Sequence, residues 1–317
     1  MRALRAMTRG ALLSVALLGC NVVARPWNHL APADAATAAE DLPDAAPSLA
    51  QASCLPSAVI GCGLTPVPGA TFAMGDSTVL MSAPAQPDIA VGDFALDTYE
   101  VSVARFRRFV RAGSPWPAGS VVRYPGGASV SIEQRTPESL GPAAPSLATD
   151  RTYCNWTSTA ADREARPMNC VSWDLAQAFC AWDGGRLPTE AEWELAAAGV
   201  ERRRFAWGNE SPTGRACGTV ITCRVEDPLL LNGRSPLGIW QLTGNVGELT
   251  ADACVYFSDP QCWGGARQDP LCQARSGTVV VRGGNSGSAS WNVARLCHAP
   301  TSLHQHVGFR CARSLPR

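Results

Sequence analysis

The stretch from Gly185 to Gly199, GRLPTEAEWELAAAG, carries the strongest local signals for structure in this chain. Pro188 interrupts whatever element precedes it, Thr189 is a favourable N-cap, and Glu192 three residues later completes a Thr-x-x-Glu capping box. Leucine and alanine then favour the helix, and the final glycine supplies the backbone freedom that ends it. The sequence therefore predicts a helix from Glu190 to about Ala198.

Two other segments repeat apolar residues at helical spacing, one after Ser102 and one after Ser172. The first set is Val103, Phe106, Phe109 and Val110, and the second is Trp173, Ala176, Phe179 and Cys180. Elsewhere Gly, Pro and Trp separate short apolar runs such as Thr278-Val279-Val280-Val281. This pattern predicts a chain that is mostly loop, with a few strands and helices.

The N-terminus has the layout of a secretory signal peptide over residues 1–20, with three early arginines and an apolar run at 11–18 that is too short to span a bilayer. Leu17-Leu18-Gly19-Cys20 resembles a lipobox, in which Cys20 is acylated. Simple export is the alternative, although we favour the lipid anchor. Asn21 then resembles a signal for the outer membrane. The predicted location is the cell envelope, with membrane contact through the anchor.

Residues 21–62 are rich in Ala and Pro and contain few large apolar groups, which predicts a tether, and residues 63–315 remain for one large domain. The formal net charge is zero and all twenty-seven basic residues are arginine. Without a basic surplus, nucleic-acid binding is not expected. The run Arg202-Arg203-Arg204 is interpreted as a solvated turn.

Thirteen cysteines are many for an exported chain, and twelve remain after Cys20. An even number in an oxidising compartment predicts six disulfides. Zinc is disfavoured because no C-x-x-C pair occurs. Short loops favour Cys54 with Cys62, Cys154 with Cys170, and Cys217 with Cys223. The pairing of Cys254, Cys262, Cys272 and Cys297 stays open.

Six ordered blocks resemble the sulfatase-modifying factor family, which includes the formylglycine-generating enzymes. They are PVPGATFAMGDS at 66–77, DTYEVSVARFRRFV at 97–110, CVSWDLAQAFCAWDGG at 170–185, GGRLPTEAEWELAAAG at 184–199, GNVGEL at 244–249, and VRGG with VGFRCAR at 281–313. The resemblance implies an irregular, loop-rich α+β fold, a C-type-lectin-like variant held by disulfides. It also implies a disulfide between Cys180 and Cys311.

The family's enzymes oxidise a protein cysteine with copper(I) held by two thiolates that follow the RGG segment and lie five residues apart. In this chain Ser288 and Val293 stand at those positions. A hydroxyl and an isopropyl group cannot hold copper(I), which prefers soft sulfur ligands. Copper is therefore not expected, and no catalytic residue is assigned.

The block GNVGEL differs from the family's usual GNVWEW, because Gly247 and Leu249 replace two tryptophans near the cleft. The resemblance places a calcium site here, with oxygen ligands from Gln241, Gly244, Val246 and Glu248. An ordinary glycine turn, with Glu248 paired to an arginine, is an equally weighted alternative.

Two functions follow from these observations. The first is a non-catalytic binding or structural lipoprotein at the cell envelope, with an unidentified ligand or envelope protein as its partner. The second is a formylglycine-generating oxidase or a related oxidase that acts on a protein cysteine. Overall family resemblance favours the second function, and the residues at 288 and 293 favour the first.

Overall fold

A computed structural model of the chain describes residues 49–79, 82, 84–113, 121–125, 128–131, 153–218, 221–265, 267–273, 277–285, 288–289 and 291–315. The signal peptide, the lipid-bearing Cys20 and the tether up to residue 48 are predictions that lie outside the described residues. In the described part, no helix is both long and apolar enough to cross a membrane.

The helices follow the spacing of their apolar residues closely. They are α1 (Val103–Arg111), α2 (Trp173–Trp182), α3 (Glu190–Ala198) and the short α4 (Pro260–Trp263). The N-cap Ser102 accepts a hydrogen bond from the Arg105 amide in α1, and Thr189 and Glu192 form the predicted capping box in α3. Ser172 caps α2 without a side-chain hydrogen bond.

The strands are short, and the segments between them vary widely in length. They are β1 (Leu64–Val67), β2 (Ala70–Met74), β3 (Gln86–Val91), β4 (Phe94–Asp97), β5 (Val121–Arg123), β6 (Ser129–Ser131), β7 (Gly247–Ala253), β8 (Val279–Arg282), β9 (Gly284–Asn285), β10 (Ser288–Ala289), β11 (Arg295–His298), β12 (Val307–Gly308) and β13 (Ala312–Ser314). This mixture of short strands and helices is the predicted irregular α+β fold.

A four-stranded sheet in the order β11-β8-β7-β12 aligns the residues that matter for the site. Glu248 on β7 lies opposite Arg282 on β8, and Arg282 lies opposite Arg295 on β11. Strand β12 joins β7 in parallel, and the other pairings are antiparallel. A second sheet has the order β1-β4-β13, and β2-β3, β5-β6 and β9-β10 form two-stranded pairs.

Aromatic rings fill the space between helices α1 and α2 and the chain end. The rings of Phe106 and Phe179 stack with centroids 5.5 Å apart, and Phe309 packs edge-on against Phe179 at 5.5 Å. A second cluster surrounds α3, whose nine residues are all buried, including Trp193. Because α3 is buried on every side, its three glutamates must find partners inside the protein.

The folded domain begins before residue 63, which differs from the predicted tether boundary. Gln51 and Ser53 are buried, and a 3-10 helix spans Ala52–Cys54. The Gln51 amide donates to Asp97 (2.9 Å), and the Ser53 amide donates to Asp183 (2.7 Å). The low apolar content of this segment predicts no ordered structure. The segment is ordered by these polar contacts instead, because they satisfy buried carboxylates of the domain.

All twelve cysteines between residues 54 and 311 form disulfides. The pairs are Cys54–Cys62, Cys154–Cys170, Cys180–Cys311, Cys217–Cys223, Cys254–Cys297 and Cys262–Cys272. The first four are the pairs expected from short loops and from the family resemblance. The last two pairs contain the four cysteines whose pairing the sequence leaves open. Cys180–Cys311 joins α2 to the chain end across a separation of 131 residues.

Candidate functional site

Helix α3 binds the arginine of the RGG segment through two of its glutamates. The Arg282 guanidinium donates to Glu190 (2.6 Å) and to Glu194 (2.5 Å), and all three side chains are essentially inaccessible to solvent. Arg295 on the neighbouring strand also binds Glu190, at 2.8 Å from Nη2 to Oε2. Burial raises the pKa of Glu194, and the Arg282 guanidinium opposes that increase. These ion pairs fix β8 and β11 against α3.

Arg282 and helix α3 also hold the segment that contains Val293 in place. Arg282 donates to the Asn292 carbonyl (2.6 Å), and the Asn292 amide donates to the Ala197 carbonyl at the end of α3 (2.9 Å). The Thr243 hydroxyl donates to the Asn292 side chain (3.0 Å). Val293 is nearly buried, and its carbonyl accepts a hydrogen bond from Ser82. The backbone at this position is therefore held on several sides.

Residues 288 and 293, which the resemblance assigns to the metal, do not offer the sulfur ligands that copper(I) prefers. Val293 offers an isopropyl group, and Ser288 lies on β10, paired with Asn285 through the backbone. Cys297, the nearest cysteine in the sequence, is bonded to Cys254. Because each cysteine from 54 to 311 is in a disulfide, none of them supplies the thiolate that copper(I) prefers.

Gly247 and Leu249, which by the resemblance replace two tryptophans of the family, occupy tightly packed positions. A Cβ atom at Gly247 would lie 2.7 Å from Val281 Cγ1 and 3.1 Å from the Gly284 carbonyl. Leu249 is 3% exposed and belongs to the main apolar core. A large side chain at 247 would force β7 and β8 apart, since interiors are close-packed.

Glu248 is bound to an arginine and a tryptophan. Its carboxylate accepts two hydrogen bonds from Arg310, at 2.6 and 2.7 Å, and one from Trp193 Nε1 of α3 at 2.8 Å. All three residues are buried. A carboxylate has about four acceptor positions, so one position on Glu248 remains after these three bonds. The alternative in which Glu248 pairs with an arginine thus describes its main contact.

Two buried carboxylates, Glu100 and Glu248, lie at the turn from 241 to 248. Glu100 is buried beside it and accepts hydrogen bonds from the Asn245 amide (2.5 Å) and the Val246 backbone (3.3 Å). Burial and the Glu248 carboxylate raise the pKa of Glu100 well above its ordinary value, against the effect of Arg310. Gln241 is 4% exposed, and its side-chain nitrogen has no partner. The two carboxylates offer the oxygen ligands that calcium takes, whereas the unpartnered nitrogen of Gln241 is a hydrogen-bond donor and does not bind a cation.

A cleft of about 610 Å³ opens beside Val293. Three consecutive arginines and Trp291 contribute to its walls, together with Asp76 and Glu201. The interpretation of 202–204 as a solvated turn holds for only part of the run. Arg203 is half-buried, and it donates to the Ala197 carbonyl at the end of α3 (3.2 Å) and to Glu201 (2.7 Å).

A larger cleft of about 910 Å³ lies elsewhere, bounded by residues such as Gly69, Tyr124 and Leu315. Neither residue 288 nor residue 293 lines it. The smaller cleft is therefore the candidate functional site, because it adjoins Val293, which the resemblance assigns to a metal-binding position.

Sequence reasoning missed several residues that build this site. They are Glu190, Glu194, Arg282, Asn292, Arg204 and Trp291. One signal was present for the first two, because Glu190 and Glu194 lie one helical turn apart in a helix whose other residues, except Glu192, are apolar, and buried carboxylates require a cation. The position of Arg204 depends on a contact with residue 291, which no local pattern indicates.

Residues 62–315 match the family described as the sulfatase-modifying factor enzyme 1-like domain. Over 289 aligned residues the chain is 31% identical to the formylglycine-generating enzyme of Thermomonospora curvata, covering 80% of this chain and 94% of that enzyme. It is 30% identical over 275 residues to a mouse (Mus musculus) protein named inactive Cα-formylglycine-generating enzyme 2, covering 79% and 85% of the two chains.

The fold is also found in a solved structure of low sequence identity. PvdO from Pseudomonas aeruginosa superposes with a TM-score of 0.57 at 19% identity, covering 81% of this chain and 97% of that one. At this identity the similarity establishes the fold and leaves the chemistry of the site to the residues themselves.

Proposed function

The chain belongs to the sulfatase-modifying factor family, and on that basis we propose that it is a non-catalytic binding or structural domain of an exported lipoprotein. One observation supports the proposal: the cysteines at 54–311 are all in disulfides, so no free thiolate accompanies the serine and valine that the resemblance assigns to the metal positions. The mouse relative named as inactive supports the same conclusion, since family membership does not by itself imply turnover.

The competing function is formylglycine generation or a related oxidation of a protein cysteine. The 31% identity to the enzyme of Thermomonospora curvata favours it. Its chemistry requires a metal held by soft ligands to activate oxygen, and neither residue 288 nor residue 293 supplies one. We therefore retain it as the alternative.

Copper(I) titration of the mature protein against a coloured chelator tests the proposal. We expect no stoichiometric binding by the unmodified protein. The double variant Ser288→Cys, Val293→Cys should compete with the chelator for one ion, and Ser288→Ala, Val293→Ala is the matched control. Thiol titration should confirm that both new cysteines are free. Stoichiometric copper(I) binding by the unmodified protein would contradict the non-catalytic assignment.

The lipid anchor is part of the same proposal and is supported by Leu17-Leu18-Gly19-Cys20 and the sequence that follows. Cys20→Ala should leave the protein in the soluble fraction or block its maturation, because the acyl chains hold it at the membrane. Fractionation of cells and detergent partitioning measure this. If the variant partitions into detergent as the unmodified protein does, the proposed lipid anchor at Cys20 is wrong.

We also propose calcium at the turn from 241 to 248. A ligand that binds only the folded state raises the melting temperature, so calcium should raise it and magnesium should do so much less. Glu248→Ala destabilises the protein in any case, because Arg310 loses its partner. The informative quantity is therefore the increase in melting temperature that calcium causes, and this increase should vanish in the variant. No shift in the unmodified protein would favour the ordinary turn.

A further inference from the structure

Arg204 in the cleft beside Val293 is held in place, and no carboxylate of the described residues pairs with it. The Arg204 guanidinium carbon lies 4.4 Å from the centroid of the Trp291 ring, which is 39% exposed. No carboxylate or carbonyl among the described residues accepts a hydrogen bond from this guanidinium. Its five N–H donors therefore remain available to a ligand.

The backbone around Arg204 is fixed on both sides. The backbone amide of Arg204 donates to the Asn209 side chain (2.9 Å), and the backbone carbonyl of Arg204 accepts from the backbone amide of Asn292 (2.8 Å). Asn292 is in turn bound to α3 and to Arg282. Stacking on Trp291 further restricts the side chain, which lowers the entropy lost when a ligand binds.

Arg202 adds a second guanidinium that is only partly used. Its backbone has a φ of +58°, in the left-handed region that is strained for a residue with a side chain. Its Nη2 donates to the Gly75 carbonyl at 2.9 Å, and Asp76 is at the outer limit of an ion pair, 4.0 Å away. The lining thus carries three arginines against Asp76 and Glu201, a surplus of one positive charge.

We propose that this cleft binds an oxyanion group of the protein's ligand, with Arg204 as the main contact and Arg202 as the second. A guanidinium stacked on an aromatic ring keeps its edge free for the two parallel hydrogen bonds that a carboxylate, sulfate or phosphate accepts. The inference extends the proposed binding function by naming the chemistry of the ligand. It rests on that function only in treating this cleft as a binding site.

Isothermal titration calorimetry with inorganic phosphate and with sodium sulfate, at constant ionic strength, tests the inference. A parallel titration with acetate distinguishes tetrahedral oxyanions from carboxylates. We expect saturable binding of at least one of these anions to one site. Arg204→Gln should weaken it about tenfold or more, because a charge-assisted hydrogen bond contributes at least that much. Arg202→Gln should have a smaller effect in the same direction.

Arg224→Gln is the matched control, because Arg224 is an exposed arginine outside the cleft and its loss should leave binding unchanged. Far-UV circular dichroism and melting curves check that the variants fold. Absence of saturable binding, or equal weakening by Arg204→Gln and Arg224→Gln, would overturn the inference. Either result leaves the non-catalytic proposal intact, since that proposal depends on copper and not on anions.

Discussion

At the scale of single residues, buried charges organise this protein. Arg282 joins Glu190 and Glu194 of α3 to the Asn292 carbonyl, and Arg310 joins Glu248 to the chain end. Such pairs add little net stability when complete, but removal of one partner leaves an uncompensated charge in the interior. They therefore specify which strand meets which helix.

Arg282→Leu should destabilise the protein by about 3–5 kcal/mol, because Glu194 loses its cation while it remains buried. Arg295 still neutralises Glu190 in this variant. Urea denaturation with the disulfides intact measures the change. The exposed control Arg224→Leu should stay within about 0.5 kcal/mol. Similar losses in both variants would show that the Arg282 network has no special role.

Asp252 makes stability depend on pH. Burial, and then the Glu190 charge, raise its pKa from 3.8 to about 7. Because the folded state holds this proton more tightly than the unfolded state, the stabilisation is complete below pH 3.8 and is lost as the pH rises through 7. The loss amounts to at most about 4 kcal/mol.

Asp252→Asn should therefore gain stability relative to the unmodified protein as the pH rises from 4 to 8, whatever its constant cost from changed hydrogen bonds. Denaturation curves at several pH values give this difference, and the exposed Asp162→Asn is the control. A difference that does not change with pH would contradict the assignment to Asp252.

At the scale of elements, α3 shows what local sequence can determine. Its bounds and capping box follow from the stretch GRLPTEAEWELAAAG, because Thr189 and Glu192 act within one turn. The second role of Glu192 could not be predicted in this way. Its carboxylate also binds Arg186, at 2.6 and 2.7 Å, and this pair forms only after the chain turns at the start of the helix.

Thr189→Ala should destabilise the protein by about 1 kcal/mol, since the Glu192 amide loses its acceptor. Thr189→Ser should restore most of this loss. Ser172→Ala is a matched control at the N-cap of α2, where the side chain makes no capping hydrogen bond, and its effect should be smaller. The ratio of the two alanine effects, measured by urea denaturation, checks the interpretation. An equal cost at both caps would refute it.

At the scale of the whole molecule, most of what could be predicted about the fold and the disulfides came from the family resemblance and the cysteine spacing. The resemblance implied the fold and the Cys180–Cys311 disulfide, and short loops implied three other pairs. The pairs Cys254–Cys297 and Cys262–Cys272 stayed open, because several partners lie at similar separations in sequence. The buried segment before residue 63 was missed, since its order comes from polar contacts with Asp97 and Asp183.

The site was predictable only where a family position could be assigned to a residue. The resemblance assigns Ser288 and Val293 to two family positions from their distance to the RGG segment, and this assignment stays a prediction. The arginine-lined cleft could not, because Arg204 and Trp291 meet only when α3 and the segment after β10 pack together. Distant contacts of this kind depend on the complete fold.

The non-catalytic function is tested by mass spectrometry of a Cys-x-Pro-x-Arg peptide after incubation with the mature protein, copper(I) and oxygen. Without a thiolate at position 288 or 293, we expect the peptide cysteine to keep its mass. A formylglycine-generating enzyme that modifies the peptide under the same conditions is the positive control. Copper-dependent conversion of the cysteine to the aldehyde by the unmodified protein would show that it is an oxidase.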